Sequence, residues 1–144
     1  MIIIAGCCAF VSFAQGITNS GNFQIHSGGS LSTTINFSNS SAAALVNNGS
    51  LYIKANLTND QSSMSAGTGT LYLNGSSAQS LGGAQAFKTY NLETNNSSGI
   101  TLNINLSVSG AHTFTAGLVA TSSTPITWYM NQVPHTPEVM IAGM

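Results

Sequence analysis

The chain has 144 residues and a mass of 14.8 kDa, long enough for one domain with a substantial buried core. Only 3 % of the residues are charged (Lys54, Asp60, Lys88, Glu93 and Glu138), there is no arginine, and the net charge is −1. That excludes the basic footprint by which proteins displace counterions from nucleic acid, so no nucleic-acid partner is expected. Intrinsic disorder is disfavoured as well, because 42 % of the residues are apolar and they alternate locally with polar ones.

Residues 2–13 form an apolar run too short to span a bilayer, which takes about 20 residues. It ends in Ser12-Phe13-Ala14 before Gln15-Gly16, with small residues at −3 and −1 of a cleavage site. Residues 1–14 therefore read as a secretory signal peptide, although no Lys or Arg follows Met1. The alternative is a lipoprotein signal, since Ile4-Ala5-Gly6-Cys7 fits a lipobox. Cleavage after Ala14 would remove Cys7 and Cys8, leaving a secreted or outer-surface chain with no cysteine and no membrane span.

Beyond the signal, residues 16–27 predict a first strand with Phe23 and Ile25 on one face and Gln24 and His26 on the other. After the Gly28-Gly29-Ser30 turn, Leu31, Thr33, Ile35 and Phe37 alternate as a second. Asn47-Asn48-Gly49 is a turn, and the next strand carries Leu51, Ile53, Ala55 and Leu57 inward against Tyr52, Lys54 and Asn56 outward. Residues 59–67 are polar and loop-like, and residues 70–74 are a strand. Residues 79–81 make a short extended piece, and Tyr90, Leu92 and Thr94 share a face. Ile100, Leu102, Ile104, Leu106 and Val108 form the cleanest period-2 run, opposite Thr101, Asn103, Asn105 and Ser107. No helical periodicity interrupts this series.

Asn48-Gly49-Ser50-Leu51-Tyr52-Ile53 is answered twenty residues later by Thr68-Gly69-Thr70-Leu71-Tyr72-Leu73. Looser copies begin at Gly21 and Gly110, at separations of 28 and 41 residues from Gly49 and Gly69. A turn glycine followed by the same phase of apolar residues is the signature of stacked repeats. The expected fold is all-β, a right-handed parallel β-helix (β-solenoid) of about 20-residue rungs over residues 15–123. A β-sandwich is the alternative. All three prolines fall in residues 124–144, so the repeat is expected to end near Ser123 and the remainder to be an irregular tail.

Three phrases carry a resemblance: Asn74-Gly75-Ser76-Ser77-Ala78-Gln79-Ser80-Leu81-Gly82-Gly83, then Phe87 with Asn91-Leu92, then Asn95-Asn96-Ser97-Ser98-Gly99-Ile100-Thr101-Leu102. Together they resemble a repeated phrase of large secreted bacterial surface proteins, in which a Gly-(Thr/Ser)-x-Gln segment precedes a strand ending in Asn-Asn. Many of those look like adhesins with a C-terminal sorting domain, and no such domain is recognisable here. The resemblance implies a β-helical surface protein and carries over no catalytic set.

Candidate sites are few. Tyr52 and Tyr72 share the outward phase one repeat apart and would stack about 4.8 Å apart as a ladder, with Lys54 alongside to blunt edge pairing. These three are the candidate binding residues, against the plainer reading of aromatic cover on a sheet face. Two carboxyl groups at glycosidase spacing are the minimum for glycoside hydrolysis, and Asp60 with Glu93 is the one pair to name. His26, His112 and His135 lack a metal-ligand spacing, so neither metal nor cofactor is expected. His112 takes an inward position and reads as a core histidine. The asparagines at turns read as positive-φ residues and as internal stacks.

These features point to a non-catalytic structural or adhesive segment, with weak multivalent contacts to surface glycans or other proteins. Exposed strand edges would also allow edge-to-edge self-association. The alternatives are a carbohydrate-active β-helix enzyme, requiring Asp60, Lys88 and Glu93 to converge, and an ice- or glycan-binding module with one flat polar face.

Overall fold

The computed structural model describes residues 16–122 and a strand at 128–130. The signal-peptide reading of residues 1–14, Cys7, Cys8 and His135 lie outside the described residues. Each coil of the chain turns through up to three short strands. Coil 1 holds β1 (Ile17–Asn19), β2 (Asn22–Ile25) and β3 (Ser30–Thr33), and coil 2 holds β4 (Phe37–Asn39), β5 (Ala44–Asn47) and β6 (Ser50–Ile53). Coil 3 has β7 (Leu57–Asn59) and β8 (Thr70–Leu73), and coil 4 has β9 (Gln79–Gly82), β10 (Phe87–Thr89) and β11 (Asn91–Asn95). Coil 5 holds β12 (Ile100–Leu102), β13 (Leu106–Val108) and β14 (His112–Ala116), followed by β15 (Val119–Thr121) and β16 (Trp128–Met130).

All pairings are parallel, and each one joins strands of successive coils. The first face is the sheet β1-β4-β7-β9-β12-β15 and the third is β3-β6-β8-β11-β14. The second face is split into β2-β5 and β10-β13-β16, because coil 3 crosses it as a loop. There Met64 is buried in place of a strand, and its Sδ accepts the Lys88 N–H at 3.5 Å. The fold is thus a parallel β-solenoid of about five turns, and the sandwich alternative falls with its antiparallel sheets. No described helix is long and apolar enough to cross a membrane.

Coil length follows from register. Leu31, Leu51, Leu71, Leu92 and His112 stand in one column, at steps of 20, 20, 21 and 20 residues. Phe37, Leu57, Leu81 and Leu102 form another, at steps of 20, 24 and 21. Each side chain is covered by the coils above and below, so Leu45, Leu51, Leu71 and Leu81 are wholly buried. At coil 1 that cover is one-sided: Ile17 and Phe23 are 36 % and 37 % exposed, where their partners Phe37 and Leu45 are 1 % and 0 %.

Several expected strands prove to be two strands and a corner. Alternation continues through three-residue corners at 34–36, 54–56 and 103–105, so period-2 patterning ran across them. Ile35 is consequently exposed at a corner, where Thr33 Oγ1 accepts its N–H and donates to its carbonyl. Tyr90 also sits exposed between β10 and β11, away from buried Leu92 and Thr94. Thr101 lies on β12 and Ser107 on β13, with Asn103 and Asn105 at the corner between, so these four share no flat face. The Gly21 copy is out of phase with the stack: Gly29 is the glycine one coil before Gly49, and Phe23 belongs to the second face. The stack also continues past Ser123, since β16 pairs in register with β13.

Asparagine plays a different part from the one its turn positions suggested. Positive φ among the described residues falls on glycine alone, at Gly28, Gly67, Gly83, Gly99 and Gly117. The internal stacking is present. Asn19 Nδ2 donates to Asn39 Oδ1, and Asn39 Nδ2 donates to Asn59 Oδ1 and Gln61 Oε1 at 2.8 and 2.7 Å. Asn39 and Asn59 are completely buried, and Asn59 Nδ2 continues the chain to the Ala86 carbonyl at 2.9 Å. Such a ladder satisfies its own members, as buried amides require.

Candidate functional site

The outward face of the third sheet carries the residues singled out from sequence. Tyr52 and Tyr72 are register partners on β6 and β8, their ring centroids 4.3 Å apart and their planes 14° from parallel. The pair continues upward to Ser32 and downward to Glu93 and Thr113. Two residues further along the chain, continuing the same outward alternation, come Thr34, Lys54 and Asn74 at the corners and Asn95 at the end of β11. Lys54 is exposed and guards no edge, because β6 is paired on both sides.

Beside this column the corners between the third and first faces change length. The corners of coils 1 and 2 have three residues, 34–36 and 54–56, whereas that of coil 3 has five, 74–78. The longer corner stands proud of the shorter ones and leaves a groove of about 630 Å³ lined by Thr34, Lys54, Asn56, Asn74, Ser76 and Ser77 among others. Hydroxyls, amides and one ammonium group line it, with no carboxylate and no large apolar side chain.

One buried side chain holds that corner in place. Gln79 opens β9 with 4 % exposure and uses both ends of its amide. Its Nε2 donates to the Ile53 and Ala55 carbonyls at 2.9 and 2.7 Å. Its Oε1 accepts the Gly75 N–H at 2.9 Å and Asn96 Nδ2 at 2.8 Å. Coils 2, 3 and 4 are thereby joined through a single residue. Gly75 is required for the same fit, because a Cβ there would strike the Lys54 carbonyl oxygen. Composition gave no hint of this role; its one signal was the Gly-Ser-x-x-Gln spacing of residues 75–79.

The remaining candidates are dispersed. Asp60 follows β7 on the first face, Lys88 is on β10 of the second, and Glu93 is on β11 of the third. Asp60 Oδ1 is engaged by the Ala84 N–H at 2.8 Å. No group of three His, Cys, Asp or Glu side chains able to hold a metal ion occurs among the described residues. His26 is exposed.

His112 stands in the inward column opposite Leu92, as its phase predicted. Its Nε2 is 3.1 Å from Thr94 Oγ1 and its ring lies against Phe114, with centroids 3.7 Å apart. Burial pushes its pKa down from 6.5 to about 4, since the charged form is poorly solvated there. A depressed histidine pKa means that the fold favours the neutral ring. Its stabilising contribution is therefore present above pH 6.5 and is lost as the pH falls toward 4. The half-buried ring keeps access to solvent, so the loss is expected to stay under about 2 kcal/mol. Thermal melts at pH 7 and pH 4 check this: His112→Asn should lose less stability between those pH values than the parent chain.

The chain matches no protein-family model, no curated protein and no solved structure. Its functional reading rests on the geometry above.

Proposed function

We propose that the protein is a secreted or cell-surface structural segment, a stiff β-solenoid that presents polar and aromatic ladders for weak, multivalent adhesion. The observation that carries this reading is the Tyr52–Tyr72 stack, in register on the outer face and bordered by a charge-poor polar groove. Stacked tyrosines lose little conformational freedom on contact and offer both apolar edges and hydroxyls, which suits glycan or protein surfaces. Asp60, Lys88 and Glu93 lie on three separate faces, an arrangement that favours passive contact over acid–base chemistry. The signal-like residues 2–13 support export, and β1, β2 and β3, each paired on one side among the described residues, are where copies would associate edge to edge.

The test is a comparison of valency. Chain coupled densely to beads should bind polysaccharide-coated surfaces at least about tenfold more strongly than free chain. Tyr52→Ala/Tyr72→Ala should abolish most of that binding while leaving the melting profile near that of the parent. Equal binding by the double variant would overturn the assignment of the ladder.

A further inference from the structure

Within the adhesive reading, on which this inference rests, the groove at the coil 2–coil 3 corner has a chemistry of its own. Asn56 Oδ1 accepts the Ser80 N–H at 2.9 Å, which orients the amide and leaves both Nδ2 hydrogens to donate. Asn74 is similar: its Oδ1 is shut away from solvent with no hydrogen-bond partner, which leaves Nδ2 as its free end. Lys54, exposed at the groove, adds three N–H donors and the positive charge. A cleft with one cation, no carboxylate in its lining and amide N–H donors at Asn56 and Asn74 is complementary to an acceptor-rich anion.

Three further features narrow the ligand. The lining hydroxyls of Thr34, Ser76 and Ser77 suit a polyhydroxylated partner and offer nothing to a lipid chain. A single lysine is too little for a nucleic-acid backbone. The Tyr52–Tyr72 stack lies one outward position from Lys54 and Asn74, beside the groove lining, so a sugar extending out of the groove on that side would reach the tyrosines. The floor and wall are held by Gln79, which keeps the donors placed before anything binds.

We propose that this groove binds an anionic sugar residue of a polysaccharide, with Lys54 meeting the acidic group, Asn56 and Asn74 donating to its oxygens, and Tyr52 and Tyr72 meeting the sugar where it extends out of the groove. A carboxylated and a sulfated sugar share this chemistry, and the experiment separates them.

Amide chemical shifts of the full chain are followed by NMR during titration with trigalacturonate, with a sulfated trisaccharide and with a neutral trisaccharide. The expected result is a salt-sensitive, saturable shift at residues 54–56 and 74–78 with at least one of the anionic sugars, and the sugar that produces it identifies the acid. Lys54→Gln should weaken that binding roughly two- to fivefold and leave the spectrum otherwise that of a folded chain. Equal shifts at these residues with the neutral sugar, unaffected by Lys54→Gln, would overturn the anionic inference and leave the adhesive reading standing. The inference also fails if all three sugars leave the groove amides unmoved while beads still bind polysaccharide. If beads fail as well, the adhesive reading falls with it.

Discussion

Gln79→Ala is expected to lower the unfolding free energy by about 3 kcal/mol, a large loss for a residue with no apolar bulk. The substitution removes four hydrogen bonds and leaves a cavity under the corner of coil 3. The loss is not four times that of a single bond. The Ile53 carbonyl keeps the Asn74 N–H as a donor, and Asn96 Nδ2 keeps the Ser77 carbonyl. The buried Gly75 N–H loses the partner that Gln79 supplied, at a cost of about 1–3 kcal/mol, and the half-buried Ala55 carbonyl loses its partner at a smaller cost. Gln79→Glu should also destabilise, because a carboxylate would face two carbonyl oxygens where an amide now donates. Denaturant unfolding measures both variants. A Gln79→Ala midpoint equal to the parent's would mean that the corner is held by something else.

Gly49→Val is expected to cost about 4 kcal/mol, near the upper end for a single substitution. The reason is the spacing of parallel coils. A Cβ at Gly49 would run into the carbonyl oxygens of Gly29 and His26, and a Cβ at Gly69 would run into that of Gly49. These are backbone atoms of the neighbouring coil, fixed by the β3–β6–β8 pairing, so no side chain can swing aside. Gly21→Ala is the control, since nothing lies within 4 Å of a Cβ there. Circular dichroism melts should show Gly49→Val unfolded or strongly weakened and Gly21→Ala close to the parent. Similar melting of the two variants would contradict the coil register.

The 20-residue period was legible because Leu51, Tyr52 and Ile53 are repeated almost unchanged as Leu71, Tyr72 and Leu73, and register partners in parallel coils face the same environment. The outward phase of the tyrosines and the inward phase of His112 followed from that period. Corners were not legible: Ala55 and Ile104 keep the inward phase through a bend, so nothing in the alternation marks where the sheet changes. The buried amides were only partly so. Asn39, Asn59 and Gln79 are the same residue types that cover the surface, and burial distinguishes them only once a neighbouring coil supplies their partners. The groove depends on a difference of two residues between successive corners, a quantity that has meaning only after the coils are stacked.

In the proposed function, this solenoid holds glycan by fixed ladders and a preformed groove and does no chemistry on it. The most direct measurement incubates the full chain with trigalacturonate and a longer polygalacturonate, following bound sugar and new chain ends together by mass spectrometry. Saturable binding with both sugars recovered at their original length is the predicted result. Shortened or unsaturated products that accumulate with time and vanish in an Asp60→Asn or Glu93→Gln variant would contradict it.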